Sequence, residues 1–354
     1  MRAKFLVVRT LPVVIVLGLI SSLAVGQTLK PAEIRARFHT LLNRKRVPLE
    51  PILTPSNDGP LIIIRGTFRS DKRERVPFFI VRPTRTNTRL PAVILLHGTG
   101  GNKEGMEPLA RELAQTGFLA VAIDARYHGE RIEGGAHGAK EYNEAIIRAW
   151  RERDLNKQEH PFYYDTVYDL HRTVDYLITR PDVDRRRIGM LGISMGGIET
   201  WLAAATDERI AVAVPLIGVQ SLRWSLENQK WQGRANTIKS AHEAAAADLG
   251  EKEVNSKVCR ALWSKVIPGI LDEFDCPNML RCIAPRPLLV LNGEKDPNCP
   301  LEGAKLAFDA AEGAYKAAKA KEKLKIDVAV GIAHAVTPEH KQMALEWLKK
   351  WLKP

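Results

Sequence analysis

Two unbroken apolar stretches, residues 92–96 (AVILL) and 118–123 (FLAVAI), constrain this chain more than anything else in it. A strand that is apolar at every position has no solvated face, so both of its faces must be covered. Short β-rich runs alternate with longer helical patterns through most of the chain. That alternation predicts an α/β fold with a mostly parallel sheet and helices on both faces. Eight strands are expected, at 61–68, 76–81, 92–96, 118–123, 187–193, 210–217, 287–291 and 325–330. The first two flank the charged stretch 70–75, as in an antiparallel hairpin. Helical patterns lie at 107–116, 164–179, 197–206, 301–321 and 339–352.

The 354 residues are 45% hydrophobic and 27% charged, which excludes a largely disordered chain. The formal charge is +12, but the basic residues are interleaved with acids and carry no nucleic-acid-binding motif, so no nucleic-acid partner is expected. At the N-terminus, Arg2, Lys4 and Arg9 precede an apolar run at 11–20, then Ser21, Ser22 and Ala24-Val25-Gly26. A positive start, a short apolar run and a small-residue site predict a signal peptide over 1–26 and export to the periplasm or beyond. The run is shorter than the ~20 residues of a membrane span, so cleavage is favoured over an anchor and no stable membrane insertion is expected. Cleavage removes Arg2, Lys4 and Arg9 and lowers the charge from +12 to +9.

Residues 27–60 are basic and proline-rich and read as an N-terminal extension, and 61–354 as one domain with inserts at 130–160 and 220–286. Each insert follows the C-terminal end of a strand, the edge where open α/β sheets bind ligands. Connections of that length are uncommon in a compact domain without a use.

The sharpest chemical signal is Gly192-Ile193-Ser194-Met195-Gly196, followed by Gly197. It closes the strand pattern RIGMLGI and opens a helical one, the setting in which a sharp turn thrusts a serine Oγ above the sheet edge. Serine needs a base to take its proton, and the base needs an acid to hold its tautomer. Asp296 follows the strand at 287–291 and His334 follows the strand at 325–330, so both fall on the same edge as Ser194. Among nine histidines, His334 alone lies between the last strand and the last helix. The sequence HGTGG (97–101) follows AVILL and supplies backbone N–H groups for an oxyanion hole. Met195 N–H is one expected donor, and Thr99 is the other, with Gly98 as its alternative. His97 is expected to order that loop. Four cysteines, Cys259, Cys276, Cys282 and Cys299, cluster in the second insert and the acid loop. In an exported chain they suggest one or two disulfides of undetermined pairing; free buried thiols are the alternative.

The motifs HGTGG, DARYHGER (124–131), RPDVDRRRIGMLGISMGG (180–197), NGEKD (292–296) and GIAH resemble α/β-hydrolases of the dienelactone-hydrolase and acetyl-esterase type. The resemblance implies an eight-stranded α/β-hydrolase fold with a cap insert. It also implies a serine esterase acting on a small-molecule or carbohydrate ester through Ser194, Asp296 and His334, without metal or organic cofactor. A serine in place of the cysteine of dienelactone hydrolases proper points to the serine esterase branch. A peptidase or amidase on the same triad is the main alternative; a non-catalytic binding protein of this fold is another. DARYHGER is expected to build the loop beside the site.

Overall fold

A computed structural model describes residues 29–86, 88–135 and 138–353; the expected signal peptide lies outside the described residues. Nine strands form one sheet: β1 (Ile52–Asp58), β2 (Leu61–Arg69), β3 (Arg75–Pro83), β4 (Leu90–Leu96), β5 (Leu119–Ile123), β6 (Val183–Ile193), β7 (Ile210–Leu216), β8 (Leu288–Gly293) and β9 (Leu324–Ala329). Their order is β1-β2-β3-β5-β4-β6-β7-β8-β9. β1 to β3 pair antiparallel and β3 is antiparallel to β5, while β5 through β9 form a parallel block. This is the α/β-hydrolase arrangement.

All eight expected strands are present, and β1 is a ninth, drawn from the N-terminal extension. Its sequence, ILTPSND, has no apolar alternation, and all seven residues are exposed. It joins the sheet through backbone pairing with β2, from Ile52 opposite Thr67 to Asp58 opposite Leu61. Pro55 is tolerated because β1 is an edge strand.

The helices are α1 (Pro31–Leu41), α2 (Glu107–Gln115), α3 (Ala139–Arg151), α4 (Tyr164–Thr179), α5 (Met195–Thr206), α6 (Leu222–Glu227), α7 (Gln232–Asn236), α8 (Lys239–Asp248), α9 (Ser256–Val266), α10 (Cys276–Arg281), α11 (Leu301–Ala317) and α12 (Pro338–Leu352). β4 shows why its sequence is apolar throughout. Ala92, Ile94 and Leu96 point into one core, with α1, α4, α5 and α11, whereas Val93 and Leu95 point into the other, with α2 and α12. The inserts contribute α3 and α6 to α10, and α3 packs on α8 and α9. None of the described helices is long and apolar enough to cross a membrane.

The expected disulfides are not formed: all four cysteines are buried and free. Cys276 opens α10 and Cys282 follows its last residue. Six residues of helix rise about 9 Å, beyond the ~7 Å between Cα atoms that a disulfide spans. Cys282 Sγ instead donates to Asn278 O and Cys299 Sγ to Ile217 O, at 3.2 and 3.3 Å. Burial pushes the Cys259 thiol up to about 12 and Cys282 up to about 11, which leaves little thiolate.

Four buried histidines, His97, His128, His171 and His242, are held neutral; burial pushes each down to about 4. The unfolded chain takes up these protons near pH 6.5. Their contribution to stability is therefore present above pH 6.5 and is lost as pH falls toward 4, by up to about 1.4 kcal/mol per pH unit and group. Buried Glu199 is pushed up, and Asp275 is pushed up to about 6, so these carboxyls act in the opposite direction and reduce the net loss. The expected outcome is a thermal midpoint that falls between pH 7 and pH 5. A midpoint that holds or rises over that interval in calorimetry contradicts the assignment of neutral imidazoles.

Candidate active site

Ser194 sits between the end of β6 and the start of α5, with φ 56° and ψ −109°. A non-glycine residue held there is strained by about 1–3 kcal/mol and needs its surroundings to hold it. Two backbone bonds do so: Ser194 N donates to Leu216 O of β7 at 2.9 Å, and Gly196 N donates to His97 O at 3.2 Å. The turn also requires glycine at 196, where a Cβ would stand 2.6 Å from Leu96 Cβ. At the next strand end Ile217 has φ 45°, a genuine outlier for a β-branched residue. Its N–H donates to Leu291 O at 2.7 Å, so the strand edge is stitched together from β4 to β8.

The loops after β8 and β9 bring the two other predicted residues to this turn. Ser194 Oγ lies 2.8 Å from His334 Nε2, and His334 Nδ1 lies 2.7 Å from Asp296 Oδ2. The Asp296 carboxylate is buried, whereas the His334 ring is 23% exposed. Asp296 Oδ1 accepts from Asn298 N and Cys299 N at 2.8 and 3.2 Å, which leaves Oδ2 for the imidazole. Ser194 and His334 line a cavity of about 610 Å³ together with Gly98, Thr99, Thr237 and Asn298. Met195 begins α5, so its N–H stands at a helix N-terminus, where partial positive charge gathers. Among the described residues, no group of three or more His, Cys, Asp or Glu side chains is placed to hold a metal ion.

The chain that carries this elbow has relatives among known proteins. The family model of the dienelactone hydrolases matches residues 76–254. The chain belongs to the dienelactone hydrolase family. It is a carboxylic-ester hydrolase of the α/β-hydrolase type. YtaP of Bacillus subtilis (strain 168), which carries a hydrolase name, is 25% identical over 292 residues, covering 79% of this chain and 84% of its own. YitV of the same organism, which carries an esterase name, is 27% identical over 278 residues, covering 78% and 96%. The solved acetyl xylan esterase 1 from Thermoanaerobacterium sp. JW/SL YS485 shares the fold with TM-score 0.66 at 19% identity, over 92% of this chain and 94% of that one.

The dienelactone hydrolase match ends before Asp296 and His334, so their placement rests on geometry. The oxyanion-loop candidates rest on a buried scaffold. His97 Nε2 accepts from Ala125 N at 3.1 Å, and its Nδ1–H donates to Gly98 O at 2.8 Å. His128 likewise accepts from Gly100 N at 3.2 Å and donates to Arg126 O at 2.8 Å. Asp124 accepts from Lys103 N and Lys103 Nζ at 2.8 and 2.9 Å. Arg126 and Arg131 both pair with buried Asp169. The charged residues of DARYHGER are thus consumed in holding this loop.

Sequence reasoning missed the residues that seat the second insert on the acid loop. Arg234 Nη2 and Gln220 Nε2 donate to Asn298 O at 3.1 and 2.5 Å. Gly233 packs so closely that a Cβ would overlap the Pro297 carbonyl. Arg234 is fully buried, and nothing in the sequence separates it from the other four arginines of the insert. We predict that Gly233→Ala or Arg234→Met displaces the loop carrying Asp296 and lowers kcat by about 10²-fold, the cost of roughly 1 Å of misplacement. A kcat within threefold of the parent in both variants would show that the insert does not position Asp296.

Proposed function

We propose that this protein hydrolyses carboxylic esters through an acyl-enzyme on Ser194, with His334 as general base and acid and Asp296 as its orienting carboxylate. The observation that carries this reading is the continuous run of hydrogen bonds Ser194–His334–Asp296, anchored on a strained turn. In the first half-reaction His334 Nε2 takes the Ser194 proton as Oγ attacks the carbonyl carbon. The carbonyl oxygen becomes an oxyanion, for which Met195 N–H and Thr99 N–H, with Gly98 N–H as the alternative, are the proposed donors. The C–O bond to the alcohol then breaks, and the alcohol oxygen leaves with the proton held by His334. Water repeats the sequence: His334 takes its proton, the hydroxyl adds to the acyl carbon, and Ser194 Oγ leaves with the proton as the acid is released. Asp296 keeps the Nδ1–H toward itself and stabilises the imidazolium that forms in each half.

A cavity of about 610 Å³ is of a size for small molecules, and a small-molecule or carbohydrate ester is the proposed substrate. Export to the periplasm or beyond is part of the same reading and rests on the signal-peptide pattern in 1–26.

Ser194→Ala is expected to lower kcat/KM on p-nitrophenyl acetate by about 10⁴-fold or more, with an unchanged circular-dichroism spectrum. The parent, but not the variant, should be labelled by a fluorophosphonate. Retained turnover in a folded Ser194→Ala protein would falsify the assignment.

A further inference from the structure

A second cavity, of about 420 Å³, adjoins the one that holds Ser194. The two share Ile193, the residue before the nucleophile, and Val336, two residues beyond His334. The second cavity lies on the α2 and α12 face of the sheet, between Met106 and Leu109 on one side and Ala344 on the other. Leu109, Ile193 and Val336 belong to the apolar core of that face but remain only partly buried, and all three open onto this groove.

Its polar side chains are already occupied. Thr337 Oγ1 accepts from His340 N at 3.1 Å and caps α12. Lys341 Nζ pairs with Glu112 of α2 at 2.6 Å, tying together the two helices that wall the groove. The remaining side chains that line it are all apolar, whereas the Ser194 cavity adds Asn298 at a position the groove does not share; its Thr237 Oγ1 already donates to Arg234 O at 2.8 Å. The two lobes meet at Ile193 and Val336, and the groove is the more apolar of the two.

We propose that the groove takes a linear aliphatic chain of the substrate ester, so that the preferred substrates carry several methylenes on one side of the scissile bond and a polar group on the other. This rests on the acyl-enzyme reading above and specifies its substrate class. The chain can enter as the acyl group or as the alcohol, and the two are separated by experiment. One series holds the alcohol constant, from p-nitrophenyl acetate to butyrate, hexanoate and octanoate. The other holds the acyl group constant, from ethyl to butyl and hexyl acetate, followed by pH-stat titration.

Each buried methylene is worth about fourfold in kcat/KM (about 0.8 kcal/mol). One series is therefore expected to rise at least tenfold between two and six carbons. Leu109→Trp, which fills the groove from a partly exposed position, should cut that rise by tenfold or more. Leu109→Gln, of similar size, should cut it in the same direction if the tryptophan variant does not fold. The proposal is overturned if neither series rises, or if the rise survives in the folded Leu109 variants. Fluorophosphonate labelling of the same variants reports Ser194 independently, so a failure of the groove and a failure of the acyl-enzyme reading give different results.

Discussion

The turn at Ser194 can exist only because the strands on both sides of β6 hold it in place. Its φ of 56° is unfavourable in isolation. The two bonds that offset it come from Leu216 at the end of β7 and from His97 just beyond β4. Those acceptors are in reach because the parallel register sets Gly192 beside Leu96 and Ile193 beside Leu216. Slipping either pairing by one residue would move the acceptors away and turn the apolar side chains of the strand to the wrong core. The burial of both sheet faces, which enforces the register, is therefore also what positions Ser194.

From that turn the rest of the edge is built by buried polar groups that satisfy one another. The HGTGG loop rests on two neutral imidazoles, each accepting a backbone N–H and donating to a carbonyl. Beneath them Asp124 binds Lys103, and Asp169 binds Arg126 and Arg131. Buried charges of this kind add little net stability, because desolvation consumes most of the attraction. Their geometric effect is larger: a bidentate guanidinium and a two-sided imidazole fix orientation as well as distance. On the other side, Gln220 and Arg234 hold the acid loop from the second insert. The site is thus held on one side by the DARYHGER segment and on the other by the segment after β7.

Much of this was legible in the chain. Continuous apolar runs mark strands buried on both faces, and GISMGG marks the turn because no other spacing lets helix and strand approach so closely. Asp296 and His334 were picked out by chain order, each following a strand that ends on the same sheet edge as Ser194, and the structure brings both to Ser194. β1 was not legible, since an exposed edge strand is held by backbone pairing and ILTPSND carries no side-chain pattern. The cysteine cluster misled for a related reason: closeness in sequence says nothing of Cα separation, and α10 holds Cys276 and Cys282 apart.

The sequence by itself determined the layer order, the place of the strained turn and the identity of the three residues that converge there. Periodicity and chain order are local or one-dimensional properties, and these features depend on nothing more. Only the tertiary structure decided the tautomers of His97 and His128, the seating of Arg234 and Gly233 on the acid loop, and the apolar groove beside Ser194. Each of these arises where segments far apart in the chain pack together, and a single sequence records no such distance.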